Sequence, residues 1–212
     1  MDPTDDQPPT DAATALRMIH EQRAATVRQL EPDPRLYYWP WGVAWLVGFG
    51  LLFLRFSPGG RVLVDLPDWL PLTALFVLLG AASVVFAVAG TRAYRQVAGD
   101  SARRGAWYGW AWFLGFLTLF VVDGRVSDRL PHDLAGLLWS AGAVGLTGAL
   151  HMAGGAIWLD RNLFALGVWL TTINILGVIA GPGWHALVVS LAGGGGMLLA
   201  GTLAWLHQRG RP

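Results

Sequence analysis

The sequence predicts an all-α integral membrane protein: six transmembrane helices built as three tandem hairpin repeats, preceded by a cytoplasmic amphipathic helix. Three observations carry this. Charged residues make up 14% of the 212 and hydrophobic residues 54%, whereas soluble proteins carry roughly 25% charged residues. Six stretches are apolar over nearly the ~20 residues needed to cross ~30 Å of hydrocarbon. Finally, two sequence motifs recur in the same order along the chain. Mean hydropathy is +0.45, and there are 12 tryptophans. A net charge of +1 supplies no basic surface for releasing counterions from phosphates, which excludes a nucleic-acid partner.

Residues 1–11 carry Asp2, Asp5, Asp6 and Asp11 together with three prolines. This composition reads as a disordered acidic tail and lacks the positive start and apolar core of a signal peptide. Residues 12–31 follow as a helix, with Leu16, Ile19, Val27 and Leu30 on one side and Arg17, Glu21, Arg28 and Gln29 around the other. Asp11 is its N-cap and Pro32 its stop. Such a helix lies on the inner leaflet, docks a partner, or simply orients the first span. The absence of cysteine excludes disulfides, thiolate metal sites and cysteine nucleophiles. All 15 basic residues are arginine, a bias expected of a GC-rich bacterium.

The transmembrane domain occupies residues 35–206, with hairpins at about 39–90, 106–158 and 163–206 and a tail at 207–212. Its spans run Trp39 to Leu54, Trp69 to Gly90, Ala106 to Val122, Leu134 to Trp158, Leu163 to Ala180 and Trp184 to Leu206. With the N-terminus inside, eleven arginines fall on the inner segments and four (Arg55, Arg61, Arg125 and Arg129) on the outer ones. This positive-inside asymmetry places both termini in the cytoplasm of a bacterial inner membrane.

The repeat is an aromatic-G-x-A-W-x-x-G-F motif followed by a loop motif. Trp41-Gly42-Val43-Ala44-Trp45-Leu46-Val47-Gly48-Phe49 recurs as Tyr108-Gly109-Trp110-Ala111-Trp112-Phe113-Leu114-Gly115-Phe116. Gly60-Arg61-Val62, three residues and Leu66-Pro67 recur as Gly124-Arg125-Val126, three residues and Leu130-Pro131. A third, diverged copy is marked by Gly167-Val168-Trp169-Leu170 and Pro182-x-Trp184. Three hairpins that each cross out and back predict approximate parallel three-fold pseudosymmetry, unlike the inverted repeats of many secondary transporters.

Small residues permit close helix approach in lipid. Two stripes qualify as seams: Ala141, Gly145, Ala149 and Ala153 in the fourth span, and Ala192, Gly196, Ala200 and Ala204 in the sixth. The Gly193 to Gly196 run reads either as part of that seam or as an unwound segment lining a cavity. Polar groups at depth are functional candidates by default. His151 shares a face with Thr147 and Ser140, and Asn174 shares one with Thr171. His151, Thr147, Thr171 and Asn174 are the candidate polar pathway, with hydrogen bonding inside or between helices as the plainer role for each. Arg92, Arg95, Arg103 and Arg104 make the loop between the second and third spans a candidate docking site, or ordinary positive-inside anchoring. His132 and His185 lie at outer helix ends, too few for a zinc site. No P-loop, nucleophile elbow or intramembrane aspartate pair is present, so neither catalytic residues, nor a metal, nor a cofactor is expected.

The stretches His20-Glu21-Gln22-Arg23 through Tyr37-Tyr38-Trp39-Pro40-Trp41-Gly42 and Ala153-Gly154-Gly155-Ala156-Ile157-Trp158-Leu159-Asp160-Arg161 resemble small six-span actinobacterial membrane proteins generically labelled transporter or ABC transporter permease. The turn prolines Pro67, Pro131 and Pro182 are similar, by analogy of architecture, to the hairpin-built acid-stress membrane proteins of the HdeD type. The resemblance implies a transporter or permease-like protein without catalytic residues. The alternative is a non-enzymatic membrane partner: a subunit of an ATPase-driven complex, a homo-oligomer or a stress-response scaffold.

Overall fold

The computed structural model describes residues 11, 13–18, 22, 33–94 and 99–210. It falls into two units, Met1–Asp33 and Pro34–Pro212. In the first, residues 13–18 are helical. The Thr14 N–H donates to Asp11 Oδ1 at 2.7 Å, which makes Asp11 the expected N-cap. That bond, ahead of a weaker one from Ala13, holds the Asp11 carboxyl below its ordinary value of 3.8. A depressed carboxylate contributes above its unfolded value, so the cap is lost as pH falls through the lowered one. Apart from Gln22, also helical, the rest of the expected 12–31 helix and the tail at 1–10 lie outside the described residues.

The second unit consists of six long helices, each apolar enough to cross a membrane. They are α1 (Pro34–Arg55), α2 (Trp69–Tyr94), α3 (Asp100–Ser127), α4 (His132–Trp158), α5 (Arg161–Ala180) and α6 (Trp184–Arg209). At 1.5 Å per residue they measure about 30 to 42 Å. Each therefore spans the hydrocarbon, and several overrun it. Six crossings return the chain to its starting side, so both ends of the domain share one face of the membrane. The helices exceed the apolar stretches mainly at their ends: α3 begins at Asp100 and ends at Ser127, where Ala106 and Val122 bounded the apolar reading.

The ends follow local chemistry. Pro34 opens α1, which tolerates Pro40 in its second turn at the loss of one backbone bond. Asp160 caps α5, its carboxylate accepting from the Asn162 and Leu163 N–H groups. After α1, Pro58 and the positive-φ Gly59 and Gly60 break the helix. The loop closes on an ion pair, Arg55 Nη2 to Asp68 Oδ1 at 2.6 Å. It also lies on the α5–α6 turn: a β-carbon at Gly183 would come 2.7 Å from Pro58 N.

Helix contacts run in a line, α2–α1–α6–α5–α4–α3. The α1–α6 seam is made by glycines. A β-carbon on Gly194 would lie 2.8 Å from the Gly42 carbonyl oxygen and 2.7 Å from Leu46 Cα, and one on Gly193 2.9 Å from the Trp45 ring. The α4–α5 seam is similar, with Gly167 backed onto the Gly148 carbonyl at 2.7 Å and Gly155 onto Phe164. The core lies where these seams meet: Ala44, Trp45, Phe49, Leu75, Val144, Leu170, Ile173, Val189 and Met197. Elsewhere large apolar side chains face outward, among them Val77, Trp107, Trp110 and Ile179. Together they form the lipid-facing surface of a membrane domain; a soluble monomer rarely exposes so much contiguous apolar area.

Two packing expectations change. Of the expected α4 stripe, Gly145 faces Asn174, but Ala149 and Ala153 point outward; the seam follows Gly148 and Gly155 instead. The hairpins do not close into a three-fold ring, because α2 and α3 have no substantial contact with each other. The reason is local. Gly60-Arg61-Val62 is loop, whereas its counterpart Gly124-Arg125-Val126 is helix, since Val121-Val122-Asp123 replaces the helix-breaking Ser57-Pro58-Gly59. The motif glycines Gly48 and Gly115 still each receive a leucine from the next helix, Leu75 and Leu146. Yet Leu75 is eight residues past Pro67 and Leu146 fifteen past Pro131, a shift of about two turns.

Gly194→Ala is expected to lower stability by about 1–3 kcal/mol through overpacking, read as a lower thermal midpoint in a fixed detergent. Gly80→Ala, with nothing within 4 Å of the new methyl, is expected to be neutral or mildly stabilising.

Candidate functional site

Polar side chains on α4, α5 and α6 meet at the end of the domain away from the termini. The tight Gly181-Pro182-Gly183 turn, with φ of +93° at Gly181 and +82° at Gly183, brings α6 back directly onto α5. His185, in the first turn of α6, is thereby pressed against Gly177; a β-carbon there would lie 2.8 Å from the imidazole Cδ2. His185 is 1% exposed. Its Nε2 lies 2.8 Å from Asn174 Oδ1 and its Nδ1 3.2 Å from Ser140 Oγ. Asn174 Nδ2 in turn donates to the Ala141 carbonyl at 3.0 Å. Gly145 leaves room for that amide, since a β-carbon there would stand 3.1 Å from Nδ2.

The chemistry of the partners sets the direction of these bonds. The Ala141 carbonyl only accepts, so the Asn174 amide must turn its NH₂ toward α4 and its oxygen toward α6. The His185 Nε2 therefore carries the hydrogen. Ser140 has one hydroxyl hydrogen for three acceptors: the Gly136 carbonyl at 2.9 Å, the Leu137 carbonyl at 3.2 Å and His185 Nδ1. One hydroxyl rotation thus moves a hydrogen bond between the helix backbone and the imidazole, with no heavy atom displaced.

A second feature of α6 lies next to this network. Residues Val189–Gly195 form a π-helix, so within the Gly193 to Gly196 run Gly193, Gly194 and Gly195 are π-helical rather than unwound, and Gly196 returns to α-helix. Two hydrogen bonds to neighbouring helices anchor it, one received from a side chain of α5 and one given by its own serine to α1. Trp169 Nε1 of α5 donates to the Ala192 carbonyl at 3.0 Å, and Ser190 Oγ donates to the Leu46 carbonyl of α1 at 2.7 Å. π-Bulges are rare and frequent at functional sites.

The four residues of the expected pathway take different roles. Asn174 joins the His185 network. Thr171 Oγ1 donates to the Gly167 carbonyl of its own helix at 2.9 Å, and its hydroxyl sits against Gly148. Thr147 Oγ1 donates back to the Ala143 carbonyl at 2.8 Å. His151 Nδ1 lies 2.8 Å from the Thr147 carbonyl, and its ring faces Trp112 of α3 edge-on at 5.4 Å. These bonds draw Asn174 and Ser140 to His185, while His151 and Thr147 bond within α4. The sequence marks His185 only as an outer helix end; the signal that it is more is its place just after a Gly-Pro-Gly turn, one turn of α6 before the π segment begins at Val189.

Of the arginine loop, Arg103 and Arg104 are exposed in the first turn of α3; Arg95 and the Arg92 side chain lie outside the described residues. Among the described residues no group of three or more His, Cys, Asp or Glu is placed to hold a metal ion.

No family model, no curated protein and no solved structure matches this chain.

His185→Ala leaves Asn174 Oδ1 buried without its donor, and the expected cost is about 1–3 kcal/mol, measured by reversible denaturant unfolding in mixed micelles. His151→Ala removes a bond within one helix and is expected to cost less than half as much.

Proposed function

We propose that this polytopic membrane protein is a non-enzymatic transporter or permease-like protein of the bacterial inner membrane, with both termini cytoplasmic. The observation that carries the reading is His185 sealed between three spans and hydrogen-bonded on both ring nitrogens, one turn from a π-helical segment. Polar groups in the apolar part of a membrane are costly, and where they converge between helices they mark pathways or relays. Ser140, Asn174 and His185 are the residues that substrate or ion would meet, and the π segment is the backbone able to change register beside them. The arginine asymmetry supports the orientation.

One observation favours a second reading, a membrane subunit that works with a partner. α3 contacts only α4 substantially and exposes Trp107, Trp110, Phe113 and Phe120 above the exposed Arg103 and Arg104. A lateral membrane subunit, a homo-oligomer or a cytoplasmic ATPase would engage these elements.

The test is complementation. A deletion strain is screened for a growth defect across ion, osmotic, pH and drug stress, then supplied with wild type, Asn174→Ala or His185→Ala. The expected outcome is rescue by wild type and loss of rescue by both variants at equal membrane abundance. Full rescue by both variants would remove the proposed pathway. A stoichiometric ATPase copurifying in mild detergent would favour the second reading.

A further inference from the structure

Asp123 lies one turn before the end of α3, at a position where the first repeat has Gly59. It is 6% exposed, and its Oδ2 is buried with no hydrogen-bond partner among the described residues. Its Oδ2 faces the Gly142 position, beside Leu119. A β-carbon at Gly142 of α4 would lie 3.1 Å from Oδ2 and 3.0 Å from Leu119 Cδ1, so the carboxyl fills the space a larger residue 142 would take. Trp139 closes the same contact, packed on Phe120 with ring centroids 4.9 Å apart.

Among the described residues no charged group compensates it, and α4 is the one helix packed substantially on α3. Its titratable groups are His132 and Asp133, both exposed in its first turn, and His151, whose ring meets Trp112, eleven residues and about 16 Å down α3. On α3 itself Arg125 is two positions on, roughly 200° around the helix, and is exposed, as are Asp128 and Arg129 just beyond its end. Across α4, Ser140 and His185 are bonded to each other. None of these groups pairs with Asp123.

An unpaired carboxylate buried this way is far costlier than the neutral acid. A metal ion would need several oxygen ligands, and Leu119, Phe120, Trp139 and Gly142 offer no side-chain oxygen. One cation needs no further ligand. We infer that Asp123 is a proton-binding site of the membrane domain, its carboxylate taking up one proton from the face opposite the termini and held in the α3–α4 contact as the neutral acid. This site is separate from the His185 network and stands whether or not the chain transports anything. Its position gives the proton leverage: α3 is fixed through its contact with α4, so releasing the proton places a negative charge in the contact that holds α3.

Infrared spectroscopy of the full chain in lipid nanodiscs tests this. At neutral pH wild type is expected to show a carboxylic-acid carbonyl band that shifts in deuterated buffer and is lost in Asp123→Asn, while Asp128→Asn keeps it. Because the amide mimics the neutral acid, Asp123→Asn should also retain the wild-type thermal midpoint. Absence of an acid band assignable to Asp123, or its appearance only as an ionised carboxylate, would overturn the proposal. So would a sodium-dependent stabilisation of wild type that Asp123→Asn abolishes, since that would make the ligand a metal ion.

Discussion

Helices in a bilayer gain nothing from hydrophobic burial against one another, because lipid tails are as apolar as leucine. What holds this domain together is therefore close backbone approach at glycine, and the rest of the structure depends on it. Gly42, Gly193 and Gly194 let α1 and α6 touch, and Gly148, Gly155 and Gly167 let α4 and α5 touch. Where glycines are dense the core forms. Where they are sparse, as on the outer faces of α2 and α3, aromatic and branched side chains meet lipid. The same contacts explain why Leu170, Ile173 and Val189 are almost fully buried in a protein whose other large residues are mostly exposed.

Close approach also decides where polar groups can live. With helix backbones this near, one side chain can reach a neighbour's carbonyl: Asn174 bonds Ala141, Ser190 bonds Leu46 and Trp169 bonds Ala192. These bonds join α1, α4, α5 and α6 without placing an unpaired polar atom in hydrocarbon. His185 fits the pattern because Gly177 has no side chain to exclude it. Asp123 does not, and that contrast separates a group that fastens helices from one that needs a ligand.

The span count and every span's position followed from apolar length alone, since hydrocarbon thickness admits few alternatives. Asp11 and Asp160 are N-terminal caps that local chemistry specifies directly. Seams were harder. Stripes of small residues at four-residue spacing identified α4 and α6 as packing helices, but which glycine meets which partner depends on crossing geometry that spacing does not encode. Ala149 and Ala153 belong to the stripe yet point outward, while Gly148 and Gly155, outside it, face α5. The repeat shows the same limit: one motif is loop after α1 and helix in α3, because three residues upstream of it differ. His185 is legible in the sequence only as an outer helix end, because its depth is set by a tight turn and by Gly177 rather than by distance along its own span. Asp123 sat in an expected loop that proved to be the last turns of a helix.

The linear order of helices, with glycine seams in its middle and α2 and α3 at opposite ends, can be read directly because the chain has no cysteine. Paired cysteines introduced into this background and oxidised in native membranes report which helices touch. Leu46→Cys with Ser190→Cys on α1 and α6, and Ala141→Cys with Asn174→Cys on α4 and α5, are predicted to cross-link within one chain, while Val84→Cys with Leu117→Cys on α2 and α3 is not. Cross-linking of the α2–α3 pair within one chain, at a yield matching the other two, would contradict the linear order and restore a closed ring of three hairpins.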